Sequence, residues 1–425
     1  MVVKDYAMKM KKAAPIMGTL SSEVRNNAIQ EAIKALLSNK KAIIEENQKD
    51  IDEAIRNNIS QAIIKRLVFD DSKIEAVTKG LADLIELEDP LGKVLLKRQL
   101  DEGLILHKET CPIGVIGVIF EARPDALIQI ASLCIKSGNC IILKGGSETK
   151  RTNRIIFTLL HEAVQKAGLP LHCMYQAEAR SDVDDLLQCE GYVDLIIPRG
   201  SNSFVRYIMD NTRIPVIGHA DGLTNIYVDK TFDLKKAIDI IVDSKIQYVA
   251  VCNAVENLIV HREAAKQLLP GLNDEFKKNS VVVRGTDEVR EIIDCEKADE
   301  ADFTREYLDY IISIELVDSI EEAIDIINTL GSHHTDCIIS EDLSAGDKFM
   351  NLVDSANVFM NCSTRFSDGY RYGFGAEVGV STGKIHARGP VGLEGMITYK
   401  YKLYGNGHMV KDYADGSRFK FKDII

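Results

Sequence analysis

The sequence predicts an α/β fold built on parallel sheets and divided into more than one domain. Short, continuous apolar runs such as Gly114-Val-Ile-Gly-Val-Ile-Phe120 and Cys140-Ile-Ile-Leu143 alternate with helical patterns, the texture of strands buried on both faces. The 425 residues, 45% of them hydrophobic, exceed what one core organises and predict two or three domains. Tryptophan is absent, and no repeat or low-complexity stretch is present, which excludes propellers and solenoids.

From the N-terminus, Val24, Ala28, Ile29, Ala32, Ile33, Leu36 and Leu37 recur at three- and four-residue spacing and predict a helix, and a second follows through Ile43, Ile51 and Ile55. Residues 95–108 alternate apolar and polar, as do 397–403, so each predicts a half-exposed strand suited to an assembly arm. The run ending at Phe120 is a buried strand. Arg123-Pro124 then opens a helix over 125–137, terminated by Gly138. Residues 140–143 are the next strand, and after Lys144-Gly145-Gly146 a helix covers 148–167 until Gly168-Leu169-Pro170 stops it. Apolar runs at 193–197, 214–217 and 223–228 predict three further strands, with a short helix over 203–210. A second α/β stretch begins near Asp233, with helices over 234–244, 263–269 and 320–330 and strands over 257–260 and 281–283.

Composition narrows the function. Against 64 acidic side chains stand 52 basic ones, a formal charge of -12, and no basic block is interleaved with aromatics, so a small molecule rather than nucleic acid is the expected partner. Nine cysteines lack paired spacing and any C-x-x-C, which argues against a disulfide framework or zinc knuckle and for a reducing, cytoplasmic compartment. No apolar stretch approaches the length of a membrane span or a signal peptide, so a soluble protein is expected.

Cys252, in Tyr248-Val-Ala-Val-Cys-Asn-Ala-Val-Glu-Asn257, is the candidate nucleophile, since a thiol among small and amide-bearing neighbours can attack a carbonyl carbon. It reacts as thiolate and needs a nearby cation, helix N-terminus or donor cluster; without one it is an ordinary buried cysteine. The segment from Arg365 to Gly392 gathers glycines with Arg365, Arg371, Lys384, His386 and Arg388, a binding loop whose cations suit phosphate or carboxylate oxygens. Its Gly373, Gly375 and Gly379 follow G-x-G-x-x-x-G with no strand before them, which does not meet the dinucleotide fingerprint. Lys144-Gly145-Gly146-Ser147-Glu148 stands at a strand end, where ligands of open α/β sheets collect. Pro198-Arg-Gly200-Ser201-Asn-Ser203 follows another strand and opens a helix whose free N–H groups suit a pyrophosphate. Such residues are also common as caps and turns. His333-His334-Thr-Asp-Cys337 has metal-capable side chains but no second cluster, so it is taken as structural and no metal is expected.

With Cys252, the Lys144 loop, Phe120-Glu121-Ala-Arg123-Pro-Asp125 and the glycine-rich segment together, the chain resembles the aldehyde dehydrogenase superfamily, from about residue 10 to about residue 408. The strings at Glu121-Ala-Arg-Pro, Cys252-Asn-Ala-Val-Glu, Ser332-His-His-Thr-Asp-Cys and Gly373 to Gly392 place it nearest the branch that acts on an acyl phosphate. That resemblance implies NADPH-dependent reduction of L-glutamyl 5-phosphate to L-glutamate 5-semialdehyde and phosphate, a step of proline biosynthesis. Cys252 would be the nucleophile of a thioacyl intermediate, Lys144 the lysine beside the adenosine ribose or its 2′-phosphate, and Glu306, in Arg305-Glu-Tyr-Leu-Asp309, the glutamate gripping the nicotinamide ribose. Glu121, Arg123 and the cations of the glycine-rich segment would divide the substrate's amino, carboxylate and phosphate groups. The implied fold is aldehyde dehydrogenase-like: a Rossmann-like cofactor domain over 1–97 and 110–225, an α/β catalytic domain over 226–395, and a β oligomerisation arm over 98–109 and 396–425. A homo-oligomer follows, and association with the glutamate 5-kinase that makes the unstable substrate is compatible with it.

One departure carries information. Hydrolytic members place a water-activating glutamate before a Leu-Gly-Gly turn, whereas His219-Ala-Asp-Gly222 stands at about that place here. This fits a thioacyl group made and broken by phosphate rather than water, with His219 as a catalytic candidate or a hydrogen-bonded turn residue. Two other readings are a coenzyme-A-dependent acylating aldehyde dehydrogenase and a non-catalytic binding protein that kept the fold.

Overall fold

The computed structural model describes residues 2–218, 221–375, 377–416 and 418–425. The chain divides into two compact units, the first made of Met1–Ile217, Phe374–Val378 and Val391–Ile425, the second of Gly218–Gly373 and Gly379–Pro390.

The first unit opens with five helices, Val2–Met17 (α1), Ser22–Ser38 (α2), Lys40–Arg56 (α3), Gln61–Leu67 (α4) and Asp71–Glu86 (α5). Ser21 caps α2 by accepting from Val24 N at 3.3 Å, and its predicted apolar face, Ala28, Ile29, Ala32, Ile33 and Leu36, is buried. Leu37, counted on that face from its spacing, is 43% exposed. Sequence reading missed α1, whose buried stripe Val3, Ala7, Met10, Ala14 and Met17 is diluted by lysines. Strands Val94–Asp101 (β1) and Leu104–Pro112 (β2) form a hairpin rather than the one strand expected over 95–108, because the chain reverses at Gly103, where φ is +75°. Next come Val115–Phe120 (β3), Pro124–Lys136 (α6), Cys140–Gly145 (β4), Lys150–Lys166 (α7), Met174–Ala177 (β5), Asp182–Leu187 (α8), Leu195–Arg199 (β6) and Asn202–Asp210 (α9). Strands β3 to β6 make a parallel sheet of order β5-β4-β3-β6. The strand expected over 214–217 is reduced to one bridge, Ile196 to Val216, since Pro215 has no N–H to extend a ladder.

The second unit is a seven-stranded, all-parallel sheet with helices between its strands. Its elements are Thr224–Val228 (β7), Leu234–Ile246 (α10), Val255–His261 (β8), Arg262–Lys278 (α11), Val282–Gly285 (β9), Asp287–Arg290 (α12), Glu296–Lys297 (β10), Ile311–Val317 (β11), Ile320–Leu330 (α13), Thr335–Ile339 (β12), Leu343–Leu352 (α14) and Asn357–Met360 (β13), in the order β10-β9-β11-β8-β7-β12-β13. Alternation along the strands divides the core: Ile226, Val228, Leu258 and Val260 enter one cluster, Tyr227 and Ile259 the other. Helix α11 runs past the expected end at 269 and through Pro270, because Leu268, Leu269, Leu272 and Phe276 are all fully buried and offset a proline cost of about 3 kcal/mol.

A short pair, Gly379–Ser381 (β14) and Gly389–Val391 (β15), leads to Ile397–Tyr404 (β16) and Lys422–Asp423 (β17). These last two join the hairpin in an antiparallel sheet β16-β2-β1-β17, within the first unit's residues. Among the described residues no helix is long and apolar enough to cross a membrane.

Candidate active site

In the first unit the chain runs β3, β4, β5 outward in one direction and then returns to place β6 on the other side of β3, so the sheet's topological switch point lies between β3 and β6. The loops after these strands carry predicted residues. Glu121, after β3, accepts from Ser201 N, after β6, at 3.0 Å. Thus a carboxylate already sits on the first backbone donor before α9, and Glu121 stands with the cofactor-loop candidates Gly200 and Ser201. A Cβ at Gly200 would lie 2.5 Å from that carboxylate, so the approach needs glycine. Arg123 is half-buried at the start of α6.

After β4, Lys144 is 6% exposed and donates to Gly145 O at 2.6 Å. Burial lowers its pKa, and Asp182, Glu148 and Glu178 counter by favouring the cation. Glu148 is turned inward: its Oε1 accepts from Ala122 N at 2.5 Å, where Ala122 holds a left-handed φ of +49°. Ser147 is exposed at the head of the short turn preceding α7. An ammonium at the end of β4, next to the loops at the sheet's switch point, fits the adenosine half of a dinucleotide.

The second unit holds the thiol. Cys252 is half-buried in the loop between α10 and β8. Thr224 Oγ1 on β7 donates to its carbonyl at 2.9 Å, Thr364 Oγ1 donates to Asn253 O at 2.7 Å, and Asn253 Nδ2 donates to Ser367 O at 2.7 Å. Three hydrogen bonds therefore anchor the Cys252-Asn253 loop. Burial raises the thiol pKa of the other eight cysteines, Cys111, Cys134, Cys140, Cys173, Cys189, Cys295, Cys337 and Cys362.

Gly222 brings the thiol and Glu306 together. A Cβ there would lie 2.3 Å from Cys252 Cβ and 2.6 Å from Glu306 Oε1, so both side chains close around the bare backbone. Gly222 closes the His219-Ala-Asp-Gly222 string, but nothing in the sequence assigned it a role of its own. His219, the other catalytic candidate, lies outside the described residues.

Of the glycine-rich segment's cations, Arg365 is 8% exposed, donates to Gln247 Oε1 at 2.9 Å and is close enough to Cys252 for their charges to interact. Burial and then Arg371 lower its pKa, while Cys252 raises it. Arg371 Nη1 donates to Arg365 O. Lys384 is exposed and ion-paired with Asp354, which also takes Arg388 at 3.0 Å. The carboxylate that pairs with Lys384 and Arg388 comes from the chain before β13. His386 is exposed.

The His333-His334 string is built into the core. His334 is fully buried with Nδ1 at 2.8 Å from Thr335 Oγ1, and Asp336, which accepts from Asn225 N, Asn225 Nδ2 and Ser355 Oγ, has its carboxyl pushed up to about 6 by burial. No group of three metal-capable side chains occurs among the described residues.

Residues 4–309 match the aldehyde dehydrogenase family model. The chain belongs to the aldehyde dehydrogenase family, whose members are nicotinamide-dependent oxidoreductases. Relatives within that family include gamma-glutamyl phosphate reductases. That of Ruminiclostridium cellulolyticum is 56% identical over 402 residues, covering 95% of this chain and 93% of that one. That of Acetivibrio thermocellus is 52% identical over 414 residues, covering 97% and 96%. The crystal structure of the Thermotoga maritima gamma-glutamyl phosphate reductase matches with a TM-score of 0.94 at 36% identity, over 96% of this chain and 99% of that one.

Proposed function

We propose that the chain reduces L-glutamyl 5-phosphate to L-glutamate 5-semialdehyde and phosphate with NADPH, in proline biosynthesis. Near-full-length identity to gamma-glutamyl phosphate reductases supports this, and the single structural observation that carries it is the closure of Cys252 and Glu306 around Gly222.

In this reading the Cys252 sulfur attacks the acyl carbon, a C–S bond forms, and the C–O bond breaks with its electron pair leaving on phosphate. When bound, the reduced nicotinamide supplies a hydride to the acyl carbon. The C–S bond then breaks, returning the electron pair to sulfur and freeing the aldehyde. The anchors on Thr224, Asn253 and Thr364 hold the sulfur's backbone through both steps. Arg365, nearly buried beside the thiol, receives an anionic group of the substrate. Glu306 holds the nicotinamide ribose. Lys144 takes the 2′-phosphate, a role helped by Glu148 being drawn to Ala122 N. Glu121, Arg123 and Arg371 remain candidates for the other substrate groups, with Gly145, Ser147, Gly200 and Ser201 as cofactor-loop backbone.

The exposed Tyr399, Tyr401, Leu403 and Tyr404 on edge strand β16 support a homo-oligomer formed through the antiparallel sheet.

The test is the reverse reaction with glutamate semialdehyde and NADP. Omitting phosphate should nearly stop NADPH formation, and adding it back should restore the rate saturably. Restoration by coenzyme A instead, or full rate with neither, would overturn the proposal. A second expected result concerns Lys144→Ala, which should narrow the NADPH-over-NADH preference about tenfold to a hundredfold, the worth of a charge-assisted hydrogen bond of roughly 1.5 to 3 kcal/mol. Ratios of kcat/KM for the two cofactors measure it, and an unchanged ratio removes Lys144 from the phosphate site.

A further inference from the structure

Lys245, at the end of α10, and Glu256, on β8, form an ion pair of 2.7 Å in which both side chains are fully buried. Lys245 Nζ also donates to Val255 O at 2.9 Å. Removing two charges from water costs several kcal/mol per ion, so such a pair is a poor stabiliser and its presence needs another reason. Burial pushes the Glu256 carboxyl up to about 7 and the Lys245 ammonium down, each opposed by its partner.

The other carboxylate oxygen supplies the reason. Glu256 Oε1 accepts from Leu308 N at 3.1 Å, and Leu308 has a left-handed φ of +53°. For a side-chain-bearing residue that conformation costs about 1 to 2 kcal/mol and persists only where its surroundings enforce it. Leu308 stands two residues after Glu306, in the irregular segment after the turn Glu300–Thr304. From the other side Tyr307 OH donates to Asp302 Oδ1 at 2.8 Å. The charge of Lys245 reaches Glu306 and Asp309 as well as Glu256.

We infer that Glu256, held by Lys245, is a positioning residue: by fixing the left-handed Leu308 it sets the segment that brings the Glu306 carboxylate to Gly222 and Cys252. The inference rests on the proposed role of Glu306 for its effect on turnover, but not for its structural content.

Two double variants separate the acceptor from the charge. K245M/E256L removes both, and K245M/E256Q restores a neutral oxygen acceptor opposite Leu308 N, with no buried charge in either. Amide exchange at residues 306–309 should quicken at least about tenfold in K245M/E256L and remain near wild type in K245M/E256Q. Turnover or the KM for NADPH should worsen at least about tenfold in the first and recover in the second. In an E306Q background, K245M/E256L should cause no further loss of activity. Equal exchange in the two double variants, or activity losses that multiply with E306Q, overturns the inference. If K245M/E256L does not fold, K245M/E256Q alone decides, since fast exchange at Leu308 in a folded protein with the acceptor retained also overturns it. If E306Q itself leaves kcat and KM unchanged, the proposed role of Glu306 fails, and the exchange comparison still decides whether Glu256 fixes the segment.

Discussion

Cys252→Ala is expected to lower reductase turnover by about 10⁴-fold or more while NADPH affinity changes little. In the proposed mechanism the thiol forms the covalent bond to the acyl group, and burial raises the pKa of the other eight cysteines. Removing one sulfur leaves the backbone anchors on Thr224 and Thr364 in place, so the loop should keep its shape. Steady-state reduction and a fluorescence titration with NADPH measure the two quantities. A variant retaining even a tenth of wild-type turnover rules out a cysteine thioacyl enzyme.

Gly222→Ala is expected to produce the second-largest loss, about a hundredfold in kcat. Its new methyl would lie 2.5 Å from Cys252 Cα and 2.3 Å from Cys252 Cβ, distances that real Cβ contacts do not show, so the nucleophile's backbone must move. Displacement of a reacting group by about 1 Å costs about that factor. Glu306 Oε1, 2.6 Å from the same position, must shift as well, which predicts a raised KM for NADPH beside the lower kcat. The thermal midpoint should fall modestly, since the disturbance is one methyl in a loop. Turnover within about threefold of wild type shows that the thiol and Glu306 do not depend on this close approach.

Much of the architecture was legible in the sequence because buried parallel strands leave a strong local signature. The runs around Val115–Phe120, Cys140–Gly145 and Thr224–Val228 are apolar at consecutive positions, and helix Ile320–Leu330 matches its predicted bounds. Elements were missed where local pattern and environment disagree. Lysines between the buried residues of α1 hid a helix whose stripe packs inside the first unit, and the buried apolar face of α11 carries that helix through Pro270, past its expected end at 269. The expected strand at 214–217 failed for a reason visible in the sequence itself, the missing N–H of Pro215.

The sequence by itself determined the chemistry available: one thiol in a string of small and amide-bearing residues, a lysine at a strand end, and a cation-rich glycine segment. Residue type and local order are covalent facts: they pointed to a thiol able to attack a carbonyl carbon, and the resemblance these strings carry implied the nicotinamide. Which of these groups meet was decided only by the tertiary structure, because contacts depend on strands distant in sequence. It separated Arg365, 8% exposed and bonded to Gln247, from Lys384, exposed and paired with Asp354, though both looked alike as cations in one segment. It also brought Glu306 to Gly222, a contact between residues far apart in the chain that no spacing rule encodes, since the carboxylate's place depends on a left-handed Leu308 held by a buried pair on two other elements.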